Sequence, residues 1–153
     1  MTPPSAYNYA LNLLSARPYA TRALHRKLIQ KQYSAADADD AIRRLVDNGL
    51  LDDAKYAEQY ARSKITTTGA SKRRLQQDLY RKGIKSEVAT EAIANVVEQE
   101  EIDPAAVVER VAKKKLGQLG ALEPLVLRRR LFAFLARRGY DVDEIKAVVS
   151  RLT

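Results

Sequence analysis

The chain has 153 residues, no cysteine, one histidine and a formal charge of +8, from 27 Lys and Arg against 19 Asp and Glu. That length fits one compact domain or a short array of smaller units. Without cysteine there is no disulfide, a single histidine leaves no zinc constellation, and a reducing cytoplasm is the expected compartment. A hydrophobic share of 46% argues for a folded chain. No apolar run reaches membrane-spanning length, and Met1 to Ser5, with Pro3 and Pro4, carries no basic-then-apolar leader. No membrane is expected as a partner. The positive charge favours nucleic acid, an acidic protein or an anionic surface.

In chain order, residues of roughly 5–16 place Tyr9, Ala10, Leu13 and Leu14 at helical spacing, and Pro18 ends the run. A second helix carries Leu24 and Leu28. A third follows Ser34, an N-cap with Asp37 at N3, and buries Ala38, Ala41, Ile42, Leu45 and Val46. Asp52 or Asp53 starts a fourth helix, with Tyr56, Ala57, Tyr60 and Ala61 on one side, and Thr66 to Ala70 reads as the loop after it. A fifth helix carries Leu75 and Leu79, and a sixth Val88, Ala92, Ile93, Val96 and Val97. Asp103-Pro104, an N-cap with proline at N1, opens a seventh through Val107, Val108, Val111 and Ala112, with a loop from Gly117 to Pro124. The eighth holds Leu131 and Leu135. The ninth begins at Asp141 with Glu144 at N3. Alternating β-branched strand patterns are absent.

The pattern repeats. Windows Leu24–Leu45, Leu75–Val96 and Leu131–Leu152 align without a gap, so that Leu24, Leu75 and Leu131 correspond, as do Leu28, Leu79 and Leu135. Gly83 and Gly139 fall where a helix C-terminus favours positive φ. Gln32 takes that place in the first window, so its turn is expected to be made differently. The fold class is therefore all-α: three tandem three-helix repeats of helix-turn-helix-like units, 1–50, 51–101 and 102–153. A unit this small buries little core alone, and stacked units should form an elongated, curved body. A single globular bundle is the alternative.

Charge follows the repeat. Residues 1–33 hold five bases and no acid, 34–58 seven acids against three bases, and 62–85 eight bases against Asp78. Residues 86–106 hold six acids and no base, and 109–138 nine bases against Glu109 and Glu123. Basic blocks on the middle helices and their flanks supply the candidate partner- or nucleic-acid-binding residues: Arg62 and Lys64; Lys72, Arg73 and Arg74; Arg81 and Lys82; Lys113, Lys114 and Lys115; Arg128, Arg129 and Arg130; Arg137 and Arg138. In register along a stack, they form a stripe able to neutralise phosphates or dock on acidic protein. Any single block reads more readily as a solvated face; it is their recurrence in register that points to a partner.

Catalytic signals are missing. His25 reads as an exposed or capping residue, and Asp39-Asp40 and Asp52-Asp53 as helix N-caps instead of a cation site. No phosphate-binding glycine loop or nucleophile motif is present. The expectation is a binding protein, not an enzyme, with no metal and no cofactor.

Asn48-Gly49-Leu50-Leu51-Asp52-Asp53, then Tyr56-Ala57, Leu75, Leu79 and Arg81-Lys82-Gly83-Ile84, and later Leu135-Ala136-Arg137-Arg138-Gly139-Tyr140, resemble the RecX family of recombination regulators. The match in order and spacing covers nearly the whole chain, and Gly49 to Ile84 is its specific part. Departures are local: Ser71-Lys72 replaces an expected Gly-Pro, and Ala20 and Ala23 replace Ser and Glu. The resemblance implies a protein that binds the RecA recombinase filament on single-stranded DNA, lies along its groove and inhibits it. It thereby regulates homologous recombination and the SOS response. Single- or double-stranded DNA would be contacted without sequence preference, and the protein would act as a monomer. The alternatives are a helix-turn-helix transcriptional regulator that reads DNA sequence, and a structural adaptor with no effect on recombination.

Overall fold

A computed structural model describes residues 2–153, all but Met1. Among the described residues there are nine helices and no strand: α1 (Ala6–Ala16), α2 (Thr21–Gln30), α3 (Ala35–Asp47), α4 (Asp53–Thr68), α5 (Lys72–Arg81), α6 (Ser86–Gln99), α7 (Pro104–Leu119), α8 (Pro124–Arg137) and α9 (Val142–Leu152). The starts follow local chemistry. The side chains of Ser5, Ser34, Asp52, Ser71, Asp103 and Asp141 each accept a backbone N–H of the first turn behind them, satisfying donors that have no partner inside the helix.

Each group of three consecutive helices closes over its own core. Leu24, Leu28 and Leu45 anchor the first, Leu75, Leu79, Ile93 and Val96 the second, and Leu131, Leu135, Ile145 and Val148 the third. The closely packed helix pairs all lie within a group, most extensively α4 on α6, then α1 on α3 and α5 on α6. The molecule exposes 9836 Å², whereas a compact monomer of 17.2 kDa exposes about 7,800 Å². The single-bundle alternative is thereby excluded in favour of an elongated array.

Four sequence expectations are corrected. The stretch Thr66–Thr68 is the last turn of α4, not a loop. The hydroxyls of Thr67 and Thr68 donate back to the carbonyls of Ser63 and Lys64, both at 2.8 Å, and the helix ends only at Gly69, φ +65°. Likewise α7 runs through Gly117 to Leu119 before it stops. Asp39 and Asp40 are no caps: they lie inside α3, where Asp39 meets His25 Nε2 at 2.8 Å and Asp40 pairs with Arg43.

The fourth correction concerns Gln32. Its turn is built like those at Gly83 and Gly139. Tyr33, Ile84 and Tyr140 donate to Leu28, Leu79 and Leu135 (3.2, 3.0 and 3.4 Å), closing the same helix-ending loop three times. Gln32 itself sits at φ 78°, beside 85° and 91° for the glycines. The difference lies in what faces each turn. A Cβ on Gly83 would stand 2.7 Å from Cβ of Arg22, and one on Gly139 2.8 Å from Oγ of Ser71. Arg22 and Ser71 belong to the start of the preceding repeat's middle helix. Gln32 is exposed, so its side chain has room and only the backbone strain of the left-handed region, about 1–2 kcal/mol, remains.

Candidate binding surfaces at the repeat junctions

The middle helix of one repeat therefore begins against the helix-ending turn of the next, and polar bonds fix both junctions. At the first, the backbone N–H of Thr21 donates to Asp53 Oδ1 at 2.8 Å, and Ala20 is buried in the second core. At the second, the third repeat supplies the donors that the C-terminus of α4 lacks. Arg110 donates to the carbonyls of Ile65 (2.8 Å) and Thr66 (3.3 Å), Arg138 to that of Thr68, and the Tyr140 hydroxyl to that of Gly69. These carbonyls carry the partial negative charge of the helix end, so two guanidiniums are well placed there. Ser71 both accepts from Arg74 N (3.1 Å) and donates to the Arg138 carbonyl (2.8 Å). The hydroxyl of Tyr140 is held above its ordinary pKa by burial, against the smaller opposing pull of Arg138 and Arg110.

Two adjoining hollows open at this second junction, of about 630 and 430 Å³, sharing Thr68 and Arg138. Lys64, Arg74, Arg81 and Lys82 line the first; Arg110, Lys114 and Lys115 line the second. Together they make one basic groove with two aromatic faces. Lys64 and Lys82 stand 5.7 and 5.2 Å from the ring centre of Tyr60, and Lys115 and Arg138 stand 4.7 and 5.7 Å from that of Phe134. Asp78 is the single acid lining the groove. It is already engaged by the Tyr60 hydroxyl at 2.9 Å, Arg74 at 3.2 Å and Arg81 at 3.5 Å. Burial, reinforced by the hydrogen bond to Asp78 and its charge, pushes the Tyr60 phenol up to about 12. At neutral pH it is therefore a neutral donor that leaves the groove cationic.

The remaining sequence candidates lie elsewhere. Arg62 of α4 pairs with Glu100, just past the end of α6, at 2.5 Å, and Lys113 with Glu109 at 3.7 Å. Arg128 donates to Thr153 Oγ1 at 3.1 Å. Arg129, Arg130 and Arg137 are exposed and line neither hollow, and Lys72 and Arg73 line a separate cleft. Arg110, Tyr60, Thr68 and Phe134 were missed in the sequence. Their signal was spacing: Tyr60, Lys64 and Thr68 succeed one another at four residues, as do Arg110 and Lys114, and Phe134 and Arg138, which puts each set on one helix face.

No group of acidic and histidine side chains suited to a metal occurs among the described residues, and no described helix is long and apolar enough to cross a membrane.

Family models match each repeat in turn: RecX, first three-helix domain, on residues 6–45; the second domain on 52–93; the third on 101–149. The chain is 39% identical over 147 residues to the regulatory protein RecX of Mycobacterium sp. (strain KMS), covering 95% of this chain and 80% of that one. It is 30% identical over 149 residues to the regulatory protein RecX of Pelodictyon phaeoclathratiforme, covering 97% and 89%. The crystal structure of RecX from Lactobacillus salivarius shares the fold, with a TM-score of 0.84 at 22% identity over 96% of this chain and 94% of that one. Three family domains in order, over an array whose junctions join them in that order, show that this chain belongs to the RecX family of regulatory proteins.

Proposed function

We propose that this chain binds the RecA recombinase filament and lowers its activity, acting by contact, without catalysis or a cofactor, as a monomer in the cytoplasm. Family membership supports the choice of partner. The basic groove at the second junction supports the mode of contact, and it is the observation that carries the reading. Lys64, Arg74, Arg81 and Lys82 from one repeat and Arg110, Lys114, Lys115 and Arg138 from the next converge on one groove. Its aromatic faces suit a nucleic-acid strand as well as an acidic protein edge, so DNA held in the filament is a second, non-specific contact. An elongated array of three linked units can engage several protomers of a repeating partner, and modest contacts then multiply.

The transcriptional alternative is disfavoured by charge. In a helix-turn-helix the second helix of the pair enters the major groove. Here α6, which would occupy that place in the central repeat, carries Glu87, Glu91 and Glu98 and no base.

The test is filament-dependent ATP hydrolysis and strand exchange by RecA, with and without the protein. Inhibition by the wild type, lost when Arg74, Arg81 and Lys82 are changed to Glu while helicity is retained, supports the reading. Wild-type protein without effect on either activity removes it. The triple change of Lys72, Arg73 and Arg74 to Glu is expected to weaken inhibition too, and the double change of Lys72 and Arg73, which leaves Arg74 of the groove in place, separates cleft from groove.

A further inference from the structure

Lys72 and Arg73 lie outside the basic groove, and what they border is of another character. A cleft of about 910 Å³ opens at the same junction and shares with the groove only Ala70. Its floor is apolar and built from both repeats: Leu75 and Ile93 from one, Val108 from the other, all buried. Half-buried Val97 and Val107 form its sides, and Val142, at the first position of α9, is 51% exposed beside it.

The rim is charged and uncompensated. Lys72 and Arg73 stand on the first turn of α5; Glu98, Asp141 and Glu144 come from α6 and the start of α9. Among the described residues none of these five has an oppositely charged side chain within 4.0 Å. Burial, then the negative charge of Asp141, raises the pKa of Glu144, so a cation arriving there relieves an existing repulsion. Tyr140 and Ser71, bonded across the junction, hold the two walls in register. An apolar floor spanning two units, between unpaired charges of opposite sign, is complementary to an amphipathic segment and not to a nucleic-acid strand.

We propose that this cleft docks one amphipathic segment of the protein partner. Its apolar side chains seat on Leu75, Ile93 and Val108, an acidic residue reaches Lys72 and Arg73, and a basic residue reaches Asp141 and Glu144. The inference rests on the reading that the partner is the RecA filament, and it gives protein and nucleic acid separate surfaces on one junction.

The experiment measures affinity of the full chain for RecA filaments on single-stranded DNA, and for the same bare DNA, by fluorescence anisotropy. The variants are Val142→Glu and Lys72→Glu/Arg73→Glu. Both place acid in the first turn of a helix, where it suits the helix dipole, so folding is preserved and is checked by circular dichroism. Each variant is expected to weaken filament binding at least tenfold, and Val142→Glu leaves binding to bare DNA unchanged. Filament affinities equal to wild type in both variants overturn the proposal, as does a Val142→Glu loss matched on bare DNA. Failure of the wild type itself to bind filaments overturns the reading beneath it instead, and the two results cannot be confused.

Discussion

The hydroxyl of Ser71 stands 2.8 Å from the point where a Cβ on residue 139 would lie, and donates to the carbonyl of the residue before it, Arg138, at 2.8 Å. One oxygen thus caps α5, ties two repeats together and reserves position 139 for glycine.

Gly139→Ala is expected to combine left-handed strain of about 1–2 kcal/mol with an overlap costing about 1–3 kcal/mol. Gly83→Ala should cost at least as much, because it meets Cβ of Arg22 at 2.7 Å, an atom fixed to the backbone of α2. Ser71→Ala alone should cost about 1 kcal/mol as a lost cap. Combined with Gly139→Ala it should cost less than the sum, since the overlapping oxygen is gone. Urea unfolding of the four variants checks the order; full additivity would contradict this contact.

Gln32→Gly should stabilise the chain by up to about 1 kcal/mol. It removes left-handed strain at an exposed site, partly offset by the greater freedom of glycine in the unfolded chain. The thermal midpoint should rise slightly. A fall would mean that the Gln32 side chain makes contacts of its own.

Tyr60 gives a pH signature. Its phenol titrates at about 12 in the native protein, against 10.0 ordinarily. The unfolded chain therefore releases this proton first. The contribution to stability is whole below pH 10, declines as pH rises, and is gone above about 12. Phenolate absorbance should show two late-titrating tyrosines, Tyr60 and Tyr140, of which one disappears in Tyr60→Phe and the same one shifts earlier in Asp78→Asn. Melting curves of Tyr60→Phe should lose the corresponding part of the alkaline decline.

If the groove follows a phosphate backbone, each neutralised contact contributes about 0.7 to the slope of log affinity against log salt for a single strand. Lys64→Gln, Lys82→Gln and Lys114→Gln together should flatten that slope by about 2. Arg129→Gln with Arg130→Gln should leave it nearly unchanged. Equal slopes in both sets would show that charge alone, and not the groove, governs DNA binding.

The helices and their grouping were legible in the sequence because caps and apolar spacing are local properties: Asp103-Pro104 and Ser34 mark their helices unaided. The α4 terminus was misread because Thr66 to Thr68 look like a loop until the hydroxyls of Thr67 and Thr68 are seen to bond back into the helix. The basic blocks gave the sign of charge but not which of their members share the groove. Consecutive bases point around a helix, so Lys114 reaches the groove while Lys113 turns to Glu109. Arg110 stood in no block, and its part as a cap on another repeat's helix depends on a contact 45 residues away in sequence. Such contacts leave no local trace.

The repeated junction also gives the array a direction. A fourth unit placed ahead of the first would have to bring its middle helix against Gln32, whose side chain occupies the space that Gly83 and Gly139 leave open. One placed behind the third would meet α8, which starts at Pro124, four residues earlier than α2 and α5 do relative to the aligned leucines. The two faces of a unit are thus different in kind, a middle-helix start on one and a helix-ending turn on the other, so neighbouring units fit together in one polarity only.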